Sequence, residues 1–412
     1  MLTESNCLIA QSGGPTTAIN ASLAGTIEAA LGSAKINTIF GSVNGILGVF
    51  EENFLNLTDI YRDNQNSLEQ LKTTPAMFLG SCRYKLDNPE QNSSDYSNIF
   101  HIFRKYNIKY FFYIGGNDSM DTVLKLSTYA EIMNFDVRII GIPKTIDNDI
   151  KCIDHTPGYG SAAKYIASTL LEIAHDAYIY PVNSVTIVEI MGRNAGWLTA
   201  AAALARNEYS EAPHLIYLPE KPFSTSRFIA DIKDEFNNRK HVIVAVSEGI
   251  KDQTGTYISA NSEKTDQFGH VMLNGTGKYL ENVVLNSMDC KVRSIELNVL
   301  QRCASHLASL TDINEAYLLG KNGVNAALNG ESGKMSSLTR ISTSPYEVKY
   351  HTVPISDVAN YEKPVPSSWI SEWGNDVNPE LIEYMRPLIQ GETKVKYENG
   401  VPVYFGVEHL ID

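Results

Sequence analysis

The chain has 412 residues, 43% hydrophobic and 20% charged, enough to bury one large or two ordinary cores and too apolar for a disordered protein. Its net charge of -13 argues against a nucleic-acid or anionic-membrane partner, but not against phosphate ligands held in a cleft that feels its own walls. Five scattered cysteines without a C-x-x-C pair, no basic and apolar leader, and no run of roughly 18 apolar residues lead to the expectation of a cytoplasmic protein with reduced thiols.

The first element is a short apolar strand, Cys7 to Ala10, that passes through Ser12, Gly13, Gly14 and Pro15 into a helical pattern from Ala18 to Leu31. Backbone N–H groups of such a loop, together with the helix dipole, suit an anion; an ordinary tight turn between strand and helix explains the two glycines equally well. The pattern returns at Tyr110 to Ile114, followed by Gly115, Gly116, Asn117, Asp118 and Ser119 and a helix from about Met120. Here Ser119 is the expected N-cap, with the alternative that the glycines face a phosphate and an oxygen of the loop faces Mg²⁺ or its water shell.

A third strand, Val137 to Ile142, ends at Pro143, Lys144, Thr145, Ile146, Asp147, Asn148 and Asp149. One cation and two carboxylates within six residues at the end of a buried strand are expensive unless used. Phosphoryl transfer to an alcohol needs a base near the hydroxyl and cations on the transferred group, roles that Asp147 and Lys144 fit, with Asp149 free to orient a neighbour or a metal. An Asx-type turn with a surface ion pair is the competing explanation.

Further strands are expected at Ser184 to Ile190, His214 to Leu218 and His241 to Ser247. Continuous apolar strands alternating with helices imply parallel sheets covered on both faces, with ligands at the carboxyl ends of the strands. Arg83, Arg193, Arg293 and Arg302 stand beside Gly-containing or polar segments, and Glu248 closes a strand. Arginine suits bidentate phosphate binding, and the Glu suits sugar hydroxyls, although each taken singly reads more readily as a solvated surface residue. Beyond Ser336 the chain is rich in Ser, Thr, Pro and Tyr, and Ser342 to Trp373 shows no helical period, so an irregular extension is expected.

Taken in order, the Gly13–Gly14 loop, Gly45 to Gly48, Phe78 to Arg83, Gly115 to Ser119, Pro143 to Asp149, Met191 to Arg193, Ser247 to Gly249 and Leu300 to Arg302 resemble the phosphofructokinase family across roughly residues 5 to 325. The resemblance implies an α/β protein of two similar Rossmann-like domains with mainly parallel sheets, the phosphofructokinase fold, with the active site in the cleft between them. The expected division is 1–158 for the phosphoryl donor, completed by part of 301–340, then 159–300 for the sugar phosphate, then a C-terminal extension 341–412. It also implies fructose 6-phosphate as acceptor in glycolysis, Mg²⁺ as cofactor, and a homodimer or homotetramer without nucleic-acid or membrane partners.

By the same resemblance Asp147 is the base and Lys144 acts beside it. Gly14, Arg83, Asp118 and Lys144 fall at the donor, while Thr145, Asp147, Met191, Gly192, Arg193, Glu248, Arg293 and Arg302 fall at the sugar phosphate. Asp118 stands where ATP-using relatives have Gly, and Lys144 where ATP-using bacterial relatives have Gly. A carboxylate at the α-phosphate position of ATP and an added cation both favour pyrophosphate as donor, over an ATP-dependent enzyme or a non-catalytic regulatory subunit. The chain departs from the family pattern at Asn117, where many relatives have a metal-associated Asp, so that metal contact there is expected through water or from Asp149. It departs again at Ser184, in place of an Arg offered across subunits, and at Val299, in place of a His or Tyr at the sugar.

Overall fold

The computed structural model describes residues 5–90, 93–258, 260–265, 271–273 and 275–408. Its strands are β1 (Ser5–Gln11), β2 (Ile36–Ser42), β3 (Phe54–Asn56), β4 (Ile108–Gly115), β5 (Arg138–Pro143), β6 (Ser184–Ile190), β7 (Leu215–Tyr217) and β8 (His241–Ser247). They continue with β9 (Ala260–Thr265), β10 (Val271–Leu273), β11 (Lys291–Glu296), β12 (Lys334–Thr343) and β13 (Tyr346–Pro354).

Seven strands form one sheet in the order β13-β12-β5-β4-β1-β2-β3, parallel from β2 to β12 and closed by an antiparallel strand at each edge. Four parallel strands form a second large sheet, in the order β11-β6-β8-β7, while β9 and β10 pair separately as an antiparallel ribbon. The apolar runs explain this directly: Phe111, Phe112, Ile114, Ile139, Ile140 and Ile142 are buried on both faces of the first sheet, as are Val185 and Ile187 on one face and Val188 and Ile190 on the other face of the second. Helices cover these faces, which is the arrangement that continuous rather than alternating apolar strands require.

The late helix Leu310–Leu328 returns to the first sheet and packs on Ile19–Leu31. A Cβ on Gly25 would sit 1.9 Å from the Tyr317 carbonyl oxygen and one on Gly320 would sit 2.2 Å from that of Ser22, so only glycine lets the two helices approach this closely. With β12 this helix carries the 301–340 region back onto the first unit.

The segment expected to be irregular is different. Tyr346, Val348 and Tyr350 alternate with Glu347, Lys349 and His351 along β13, which pairs antiparallel with β12 from Lys334↔Pro354 to Thr343↔Tyr346. The alternation is the period-two signature of a strand, present in a stretch where the helical period is absent. The chain then crosses to the second unit, where Leu381 and Met385 of the helix Pro379–Met385 and Leu388 of the following 3₁₀ turn Arg386–Ile389 join the core that contains Trp197, Leu198 and Ile243.

Beneath the turn after β5 lies a buried ionic network. His155 hydrogen bonds Asp154 at 2.8 Å and Glu315 at 2.6 Å, Arg340 donates to Asp154 at 3.0 Å, and Tyr346 donates to Glu315 at 2.6 Å. Burial alone lowers the affinity of the imidazole for a proton, but Glu315 and Asp154 overcome it and push His155 up from 6.5 to about 9. A folded-state value above the unfolded one means that stabilisation is fully present below about pH 6.5 and is lost as pH rises through about 9. Thermal unfolding of the wild type and of His155→Gln, followed from pH 6 to 10, should therefore show a stability gap that is widest at low pH and closes at high pH. A gap independent of pH would contradict the charged form of His155.

Candidate active site

The loops at the carboxyl ends of β1, β4, β5, β6 and β8 open into one cleft of about 770 Å³ between the two sheets. Among the residues expected from sequence, Gly14, Arg83, Asn117, Asp118, Lys144, Thr145, Asp147, Asp149, Met191, Arg193, Glu248 and Arg302 all line it. Gly192 stands immediately behind, its N–H donating to Glu248 Oε1 at 3.3 Å.

Lys144 follows β5, and its N–H continues the sheet pattern by donating to the Gly115 carbonyl at 2.9 Å. Its side chain is 1% exposed and crosses to the first loop, where Nζ donates to the Gly14 carbonyl oxygen at 2.5 Å. Gly13, at φ +81°, makes that crossing possible, since a Cβ there would lie 3.3 Å from Nζ. Burial pulls the ammonium down from 10.5 to about 7, Asp147 and Asp149 oppose the fall, and Arg302 adds to it. An anion arriving in the cleft restores the charged form, so Lys144 gains charge as its ligand binds.

Asp147 shares the turn with Lys144 but faces the other wall. Its N–H donates to Thr145 Oγ1 at 3.1 Å, and the Thr145 hydroxyl donates to Oδ2 at 3.4 Å. Burial raises its carboxyl, while Thr145, Lys144, Arg193 and Arg302 lower it. Burial also pushes Asp149 up to about 7, reinforced by Asp147 and Glu362. Burial therefore raises the proton affinity of both carboxylates of this wall, the direction that favours a general base.

Opposite stand Glu248 and Arg193. Burial raises Glu248, with the Gly192 N–H pulling it back down. The Arg193 Nε is buried without a partner among the described residues. Arg302 ends the 3₁₀ turn Asn298–Arg302, and its Nη1 lies 3.4 Å from where a Gly14 Cβ would be, so it spans the gap between the first loop and the Arg193 wall.

Three expectations change. The helix after β4 begins at Asn117, with Gly116 and not Ser119 at the N-cap; Ser119 folds over Gly115, where a Cβ would meet its Oγ at 2.0 Å. Asp118 consequently lies exposed in the first helical turn, at the positive helix end. Arg293 does not enter the cleft of its own chain. It sits in mid-strand on β11, the edge strand, in register with Thr186, and donates to Asp176 at 3.1 Å, beside Ser184 in a small surface pocket on the flank. Asn117 is engaged elsewhere: its Nδ2 donates to the Tyr361 carbonyl at 2.7 Å and its Oδ1 accepts from the Asn360 N–H at 2.9 Å.

Those bonds disclose cleft residues that sequence reasoning missed. Asn360 and Glu362 line the cleft from the stretch after β13, with Asn360 Nδ2 on Asp121 at 2.9 Å and Glu362 Oε1 accepting from Asn194 at 3.3 Å. No spacing or period marks that stretch, and contacts distant in sequence, with Asn117, Asp121 and Ile150, bring it to the site. Val299, 47% exposed on its 3₁₀ turn, does not line the cleft.

A family model described as phosphofructokinase matches residues 6–327. The chain is 39% identical over 404 residues to pyrophosphate–fructose 6-phosphate 1-phosphotransferase of Halomonas elongata, covering 97% of this chain and 96% of that one. It is 38% identical over 402 residues to the protein of the same name in Methylococcus capsulatus, covering 97% and 95%. Its fold matches the crystal structure of a pyrophosphate-dependent phosphofructokinase from Nitrosospira multiformis with a TM-score of 0.87 and 36% identity, over 97% of this chain and 95% of that one.

Proposed function

The chain belongs to the phosphofructokinase family, and from its near full-length similarity to pyrophosphate-using members we infer that it transfers a phosphoryl group from pyrophosphate to the 1-hydroxyl of fructose 6-phosphate, giving fructose 1,6-bisphosphate and phosphate. One observation carries the reading to the chemistry: a single turn presents Lys144 to the glycine loop and Asp147 to the wall of Arg193 and Glu248. A donor on the first side and a sugar phosphate on the second meet at that turn.

In this reading Arg193, Glu248 and Arg302 hold the sugar phosphate so that its 1-hydroxyl points at Asp147. Asp147 takes the hydroxyl proton as the oxygen attacks the terminal phosphorus of pyrophosphate, and the bond to the bridging oxygen breaks to release phosphate. Lys144, Arg83 and the backbone of the Gly13–Gly14 loop neutralise charge on the transferred and leaving groups, where electrostatic stabilisation contributes most. Asp118 is placed by the family resemblance where the α-phosphate of ATP would lie.

Mg²⁺ suits this wall. No group of three or more His, Cys, Asp or Glu side chains that could hold a metal stands together among the described residues, and Mg²⁺ is commonly held by one or two carboxylates plus substrate phosphates. Asp149, whose proton affinity is raised by burial, Asp147 and Glu362, is the carboxylate that would hold the ion alongside pyrophosphate. When bound it supplies neutralisation of phosphoryl charge. Arg293 and Ser184, on the flank, are available to the sugar-phosphate site of a neighbouring subunit in a homodimer or homotetramer. No described helix is long and apolar enough to cross a membrane; a cytoplasmic place in glycolysis is part of the same inference from the family.

Phosphoryl transfer is microscopically reversible, and the cleft that holds pyrophosphate and fructose 6-phosphate also holds the products of their reaction, so the reaction should run in both directions. Incubation of the protein with fructose 1,6-bisphosphate, phosphate and Mg²⁺ should produce pyrophosphate, visible by ³¹P NMR. Release of phosphate without any pyrophosphate would mark the protein as a hydrolase and contradict the transfer.

A further inference from the structure

The turn that carries Asp147 is held by residues outside the 6–327 region matched by the family model. Between Asp147 and Asp154 the backbone has no regular structure, and two non-glycine residues, Asn148 at φ +54° and Cys152 at φ +60°, take the left-handed conformation. Such residues persist only where the surroundings over-determine them.

Lys363 and Tyr384 supply that determination. The Lys363 N–H donates to the Asp149 carbonyl at 2.7 Å, and Glu362 pairs across from Ile150. The Lys363 ammonium donates to the carbonyls of Asp154 at 2.8 Å and Ile153 at 3.1 Å, and to Asn148 Oδ1 at 3.5 Å. The Tyr384 hydroxyl accepts from Asn148 Nδ2 at 3.0 Å and donates to the Asp154 carbonyl at 2.8 Å. Both residues therefore grip the loop at its two ends, next to Asp147 and at Asp154. The Tyr384 ring is itself fixed between Trp197 and Trp369, at 5.4 and 5.3 Å between centroids.

We propose that Lys363 and Tyr384 are positioning residues for the phosphoryl transfer, holding the strained 147–154 turn so that the Asp147 carboxylate stays aligned with the acceptor hydroxyl. Neither is placed to touch substrate: Asn360 and Glu362 line the cleft, while Lys363 points its ammonium behind the turn. The proposal rests on Asp147 being the base. A displacement of about 1 Å at such a group costs on the order of a hundredfold in rate.

Tyr384→Phe deletes one oxygen and keeps the stacked ring, so the variant should fold. Its kcat should fall about tenfold, with KM for fructose 6-phosphate and for pyrophosphate within about threefold of wild type. Lys363→Met should lower kcat about a hundredfold, and Lys363→Arg, which restores donors to the same carbonyls, should regain most of the loss. Hydrogen exchange of the free proteins should rise at the amides of 148–156 in Tyr384→Phe and Lys363→Met while strands β4 and β8 stay protected. If Lys363→Met does not fold, Tyr384→Phe decides. Unchanged exchange at 148–156, or a defect confined to KM, would overturn the proposal. The exchange result stands whether or not the wild type uses pyrophosphate, so a failure of the functional reading would be seen separately.

Discussion

Asp147→Asn should lower kcat with pyrophosphate and fructose 6-phosphate by about a thousandfold, within the roughly 10²–10⁴ that a positioned general base contributes. The substitution is close to isosteric and preserves the N–H contact to Thr145 Oγ1 at 3.1 Å, so the turn keeps its shape while losing its proton acceptor. In the proposed reading both substrates are held mainly by other groups, with Arg193, Glu248 and Arg302 on one side and Lys144 and Arg83 on the other. KM should accordingly change little, and equal falls in kcat and kcat/KM mark an interaction made only in the transition state. A fall below about tenfold would place the base elsewhere, because one positioned proton acceptor supplies more than that.

The second large effect concerns the donor. Asp118 is exposed in the first turn of the helix Asn117–Ile132, and its carboxylate makes no hydrogen bond among the described residues. A carboxylate about 4 Å from the α-phosphate of ATP costs about 4 kcal/mol at an effective dielectric constant of about 20. That is about a thousandfold in rate at about 1.4 kcal/mol per factor of ten. Asp118→Gly removes the charge and the bulk, and should raise kcat/KM for ATP by about a thousandfold while changing that for pyrophosphate less than about tenfold. Helix stability should suffer by only about 1 kcal/mol, since the position lies in the first turn. An equal fall with both donors would mean that Asp118 serves the fold and not the choice of donor.

The fold and site were legible to different depths. β4 and β5 declare themselves because a strand buried on both faces must be continuously apolar, and Lys144 and Asp147 stand out because cost concentrates where charges end such a strand. Arg293 stands away from the cleft of its own chain because β11 is the edge strand of its sheet, a placement that a motif position in sequence does not reveal. β13 carries its own alternation, yet the Ser, Thr and Pro around it read as coil until β12 is there to pair with it. Asn360, Glu362 and Lys363 were invisible for a deeper reason. Their contribution depends on contacts more than 200 residues away in sequence, with Asn117 and with the 148–154 turn. The lowered proton affinity of Lys144 has the same origin, since its burial is created by the Gly14 loop that crosses from β1.

The central claim is that this cleft takes its phosphoryl group from pyrophosphate, and initial rates with the two donors test it directly. With fructose 6-phosphate and Mg²⁺ held constant, kcat/KM for pyrophosphate should exceed that for ATP by about a thousandfold, the factor expected from the repulsion at Asp118. Comparable values for the two donors would contradict it.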